Sequence, residues 1–163
     1  MKVWSELPRD REREGRLWVT EDLGGGAVFG PVRCRGEADN AAAATHHNPE
    51  EDPAATFGDH PYGVSRIATV VHTDPTDAKK VRSYGPVFLA LHAVSGQAWD
   101  ARQAGRTGIG IHGGAPGPGG TLRPTYGCLR LDNADVERLA TLVADEQAAG
   151  RSIFYECLEE GPR

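Results

Sequence analysis

Two short stretches hold the side chains best suited to covalent chemistry: Ile111-His112-Gly113-Gly114 and Thr125-Tyr126-Gly127-Cys128-Leu129-Arg130-Leu131. A cysteine between a glycine and an apolar residue, following a flexible loop, can present its sulfur at a surface turn. An ordinary thiol titrates near ~8.5, so little thiolate forms at neutral pH without help. An imidazole close in space supplies that help, and His112 ends a short apolar segment just before the loop. Gly127 permits a tight turn, so that its N–H and that of Cys128 can point at a developing oxyanion. A thiol paired with His112 is expected to titrate below an ordinary cysteine and to react sooner than Cys34 or Cys157. The weaker reading is a buried apolar cysteine, since most lone cysteines are small core residues and spacing alone does not bring His112 near.

The other candidates carry less. Cys34 and Cys157 lie in strand-like segments and read as packed thiols; with Cys128 they make an odd count, which favours free thiols. His72 and His92 read as structural histidines in strands. His46-His47 beside Glu50, Glu51 and Asp52 invites a metal reading, but no second ligand group follows at a defined spacing, so an exposed loop is expected and no metal. Trp4, Trp18 and Trp99 fit packing better than a sugar-binding surface.

The elements that must position the window are short. Strand signals occur at 16–20, 29–35, 64–73, 87–94, 109–112 and 152–158, where β-branched and aliphatic residues predominate, with a turn at Gly24-Gly25-Gly26. One helix is expected over 134–148: Asp132 or Asn133 can cap it, Val136, Leu139 and Val143 share a face, and Gly150 suits its end. Residues 36–63 read as a long surface loop, either a lid or simply mobile. Residues 1–14, with the alternating run Arg9 to Glu14, read as a charged arm, followed by a domain over 15–158 and a tail over 159–163.

Bulk properties bound the classes. A chain of 163 residues accommodates one domain of ordinary size. Its 21 glycines, 11 prolines and mean hydropathy of −0.47 fit a turn-rich, mostly β fold. With 18 basic and 23 acidic residues the net charge is −5, which argues against nucleic acid as the main ligand. No apolar run reaches the roughly 18–20 residues a membrane span needs. The first residues turn polar at once, so no secretory signal is expected.

The motif residues resemble the L,D-transpeptidase (YkuD-type) catalytic domain. That family's signature is a His-Gly step, a variable loop, then Ser/Thr-His-Gly-Cys, an apolar residue and Arg or Asn. His112-Gly113 matches the first part, and Thr125, Gly127, Cys128, Leu129 and Arg130 the second. Tyr126 stands where the family often has histidine, and the loop 113–124 is shorter than usual. His60-Pro61-Tyr62-Gly63 is similar to the family's Thr-Pro-x-Gly segment. The resemblance covers about 15–158 and implies a β-sandwich with one well-defined helix near the C-terminus.

It implies Cys128 as nucleophile, His112 as base through Nδ1 or Nε2, and the Gly113 carbonyl as the group orienting the imidazole. It further implies peptidoglycan stem peptides as partners, a thioester intermediate, and no metal or organic cofactor. Arg130, and less directly Arg123, would pair with a stem-peptide carboxylate, although Arg130 could equally brace the loop. Family members act in the periplasm or cell wall, and with no secretory signal expected the export route stays open, a specialised secretion system being one candidate. The competing functions are a non-catalytic wall-binding module and a cell-wall toxin with its own immunity or delivery protein.

Overall fold

The computed structural model describes residues 1–21 and 25–161, so part of the expected Gly24-Gly25-Gly26 turn and the end of the tail lie outside the described residues. Strands β1 (Lys2–Leu7), β2 (Gly15–Thr20), β3 (Ala27–Cys34), β4 (Gly63–His72), β5 (Val87–Ser95), β6 (Gly110–His112), β7 (Leu129–Arg130) and β8 (Phe154–Glu159) form one sheet. Its order is β3-β2-β1-β8-β4-β5-β6-β7. The helices are α1 (Asn40–Thr45), α2 (Ala78–Tyr84), α3 (Gln97–Gln103) and α4 (Asn133–Ala148). The fold is mostly β with one long helix near the C-terminus, as expected.

The charged arm is a correction. Residues 2–7 bury Val3, Ser5 and Leu7 on one face while Lys2, Trp4 and Glu6 face outward, and this strand lies between β2 and β8. The inward positions include a serine, so the alternation of period two is masked in the sequence. Ser5 is fully buried because its hydroxyl is bonded to Tyr155 Oη at 2.7 Å. Only 8–14 connects strands, and even there Arg11 is buried over the Tyr62 ring at 4.2 Å.

The sheet curls until its two ends meet. Arg35, just past β3, bridges antiparallel to Arg130 of β7, with Arg35 N–H donating to Arg130 O at 3.0 Å and Arg130 N–H to Arg35 O at 2.8 Å. The segment continues along the cysteine turn: Thr125 N–H donates to Glu37 O at 3.1 Å, and Asp39 N–H to Thr125 O at 2.7 Å. Inside the curl lies one core, drawn from Val3, Leu17, Phe29, Ile67, Leu89, Ile111, Leu129 and Tyr155 among others.

Helix α4 packs Val136, Leu139, Ala140 and Val143 into that core. Asp132 is its N-cap residue, but the carboxylate makes no capping bond; Arg33 of β3 holds it through Nε at 2.6 Å and Nη2 at 2.8 Å. Asn133 turns the other way and accepts from Gly114 N–H at 2.8 Å. Helices α1, α2 and α3 were not expected, because six or seven residues are too few to show helical periodicity. Leu139→Ala should cost about 2–5 kcal/mol, the range for emptying a fully buried leucine site. Urea titration measures it; a loss under about 1 kcal/mol would contradict the packing of α4 on the sheet.

Candidate active site

Strands β6 and β7 pair in parallel, Ile111 opposite Leu129 and His112 opposite Arg130. Side chains alternate along a strand, so this register sets His112, Arg130 and Cys128 on one face. The imidazole is fixed by its own neighbour: Nδ1 lies 2.7 Å from the Gly113 carbonyl oxygen. A carbonyl only accepts, so Nδ1 carries the proton and Nε2 keeps the lone pair. The sequence left the two nitrogens open; the geometry leaves Nε2 as the one with a lone pair able to take a proton. Phe88 stacks on the ring at 5.7 Å and Tyr84 meets it edge-on at 5.2 Å. A Cβ on Gly113 would come within 2.1 Å of Asn133 Oδ1, which explains glycine after His112.

The cysteine turn is fastened from both sides. Thr125 Oγ1 donates to Cys128 O at 2.8 Å and accepts from Gly127 N–H at 3.0 Å. That second bond corrects an expectation: the Gly127 amide is engaged by Thr125 and is not turned toward an oxyanion. Gly127 has φ +106°, and a Cβ there would lie 1.7 Å from Arg106 Nη2, so both conformation and space require glycine. Its carbonyl receives His60 Nδ1–H at 3.1 Å, which leaves His60 Nε2 to accept from Tyr155 Oη at 2.9 Å. A buried relay thus runs from Ser5 through Tyr155 and His60 to the turn. Desolvation holds His60 neutral, with its pKa lowered to about 3.

The electrostatics run against the expected ion pair. Burial pushes the Cys128 thiol up to about 11, although the Gly110 amide, Arg106 and Arg130 each favour the thiolate. Burial, and then Arg130, lower His112 to about 4. Both groups are therefore neutral at pH 7. The thiol rests on the Gly108 carbonyl, Sγ to O 3.6 Å, rather than on the imidazole.

Arg130 is 6% exposed. Its Nη2 donates to Ser83 O at 3.1 Å, while Nε and Nη1 have no partner among the described residues. Desolvation and then the nearby charge of Arg123 bring it down to about 10. Tyr126 is 66% exposed and touches Phe57 rather than the thiol. His72 and His92 are exposed, contrary to the structural role expected of them. A cleft of about 190 Å³ opens beside Gly108, with His60, Ser65, His92, Arg102 and Arg106 on its walls.

Sequence reasoning missed Arg106. It is buried, pairs with no carboxylate among the described residues, and donates to the carbonyls of Pro53, Gly58 (2.6 Å) and Asp59 (2.8 Å). The loop read as either a lid or simply mobile is thereby tied to the cysteine turn. An arginine in a polar stretch is an unremarkable signal, and only Gly127 hinted at a close neighbour.

The family described as the L,D-transpeptidase catalytic domain (YkuD) matches residues 40–149, which run from α1 through α4 and contain both His112 and Cys128. Among solved structures, the one titled "Structure of Bdellovibrio bacteriovorus Bd1075" aligns with a TM-score of 0.52 at 15% identity, over 94% of this chain. The chain spans 46% of that protein's length, and at this identity the likeness concerns the fold. No curated protein matches the chain.

With a thiol near about 11, alkylation of Cys128 by iodoacetamide should climb steadily from pH 7 to pH 10. The fully covered Cys34 and nearly covered Cys157 should label only on unfolding. Peptide mapping after timed labelling reads both; a plateau reached by pH 7 would restore the thiolate–imidazolium pair.

Proposed function

The chain belongs to the L,D-transpeptidase catalytic-domain family, which acts on peptidoglycan, and on that premise we propose that it is a cysteine acyltransferase of stem peptides. The observation that carries the reading is the His112 imidazole, tied by Nδ1 to Gly113 O with Nε2 available on the face shared with Cys128.

In this mechanism Cys128 Sγ leaves the Gly108 carbonyl and gives its proton to His112 Nε2 as sulfur attacks the carbonyl between an L centre and the terminal D-residue. Starting from two neutral groups, proton transfer and attack proceed together, and the imidazolium forms only where it is next needed. The oxyanion takes the Cys128 N–H, since the Gly127 amide is engaged. Collapse breaks the C–N bond, His112 returns the proton to the departing amine, and a thioester remains. An amine acceptor resolves it as a cross-link, and water resolves it as carboxypeptidase hydrolysis.

Arg130 and Arg123 would hold a stem-peptide carboxylate. Arg130, lowered by burial and then by the nearby Arg123 charge and left with unpartnered N–H groups, would be relieved by an anion. Tyr126 would tune the acceptor side, being exposed beside the turn. The site of action proposed is the periplasm or cell wall.

Intact mass followed over time with tetrapeptide muropeptides tests the assignment. Cys128→Ala should form no adduct. His112→Ala should acylate 10²–10⁴-fold more slowly at pH 7 and recover in part at pH 9, as expected when a general base is lost. Loss of D-Ala with dimer formation identifies a transpeptidase, and loss alone a carboxypeptidase. An adduct persisting in Cys128→Ala would overturn the mechanism.

A further inference from the structure

The loop between α1 and β4 carries more order than a connection requires. Three non-glycine residues in it have positive φ: His47 (62°), Glu51 (54°) and Phe57 (61°). A bulky side chain in the left-handed region is strained and persists only where surrounding bonds hold it. Two buried polar side chains supply those bonds. Asn48 Nδ2 donates to Asp52 O at 3.2 Å and Thr56 O at 3.4 Å, and its Oδ1 accepts from Asp52 N–H at 3.0 Å. Arg106 takes the carbonyls of Pro53, Gly58 and Asp59.

What this scaffold fixes is a row of rings outside the core cluster. His46 stacks on Phe57 with centroids 3.8 Å apart and planes 4° from parallel. Phe57 in turn meets Tyr126 at 5.1 Å, tilted by 60°. His46 is exposed and Tyr126 is 66% exposed, so the row ends in open aromatic faces. The same loop carries the exposed polar residues His47, Glu50, Asp52 and Thr56.

We propose that His46, Phe57 and Tyr126 form a ledge that binds a sugar ring of the glycan strand beside the reacting stem peptide. Flat π faces bordered by donors and acceptors match a pyranose, which has an apolar C–H face and a polar rim. The spacing agrees as well. Tyr126 is two residues from Cys128, at most about 7 Å even were the backbone extended, and the further rings carry the ledge outward. Three stem residues, about 10 Å when extended, separate the attacked carbonyl from the sugar. The proposal rests on the stem-peptide reading above.

Two measurements test it apart from that reading. The first adds an N-acetylglucosamine tetramer to the isotope-labelled protein and follows backbone amide shifts; changes should concentrate at 46–58 and 126. The second compares acylation by free tetrapeptide and by disaccharide-tetrapeptide. The wild type should favour the sugar-bearing substrate roughly three- to ten-fold, the worth of about one ring-stacking contact. Phe57→Gly, which suits the positive φ while removing the ring, and His46→Ala should bring that ratio to about one, and Phe57→Tyr should retain it. A ratio near one in the wild type, a ratio unchanged in Phe57→Gly, or shifts confined to the cleft at Gly108 would overturn the ledge. Tetramer binding at the ledge without acylation by either substrate would overturn the stem-peptide reading and leave the ledge standing.

Discussion

The pair of backbone hydrogen bonds between Arg35 and Arg130 closes the sheet, and the site exists only because of that closure. Without it, β3 and β7 are the two free edges of an eight-stranded sheet, and the cysteine turn hangs from a strand of two residues. Such a strand cannot hold a register by itself. It is held because β6 pairs with one side of it, Arg35 with the other, and 37–39 with the turn before it. Arg130 thus serves twice: its backbone shuts the sheet, and its guanidinium sets the charge environment of Cys128 and His112.

Charge within the site follows from burial. Two cations, Arg106 and Arg130, stand near a thiol that is nevertheless pushed up to about 11, so desolvation outweighs their attraction. The same Arg130 works against an imidazolium at His112. An environment that disfavours both halves of an ion pair keeps the sulfur protonated and the imidazole neutral. Buried beside them, Arg130 keeps Nε and Nη1 without a hydrogen-bond partner among the described residues.

Arg106 couples the loop to the turn. Its carbonyl bonds fix 53–59 in place, and its Nη2 occupies the space that a side chain at position 127 would fill. From the opposite side, His60 bonds the Gly127 carbonyl and passes the constraint through Tyr155 to Ser5 in β1. The first strand of the chain therefore reaches the nucleophile through a buried line of polar groups. Each is satisfied by the next, which is what makes their burial affordable.

The candidate site residues were legible in the sequence because their types and order carry the information: a thiol after glycine, a histidine before glycine, and an arginine two residues past the cysteine. Helix α4 and most strands were legible for a similar reason, since a long amphipathic pattern or an aliphatic run is a local property. Strand β1 was hidden by its buried Ser5, whose fitness for the core depends on Tyr155 at the far end of the chain. Arg106, His60 and Asn48 were hidden likewise, because their partners are backbone carbonyls and a tyrosine that no local pattern reveals. The proton on His112 Nδ1, the depressed imidazole and the raised thiol belong to tertiary structure alone. They depend on desolvation and on which dipoles and charges converge in space, and residue order does not encode either until the sheet has closed.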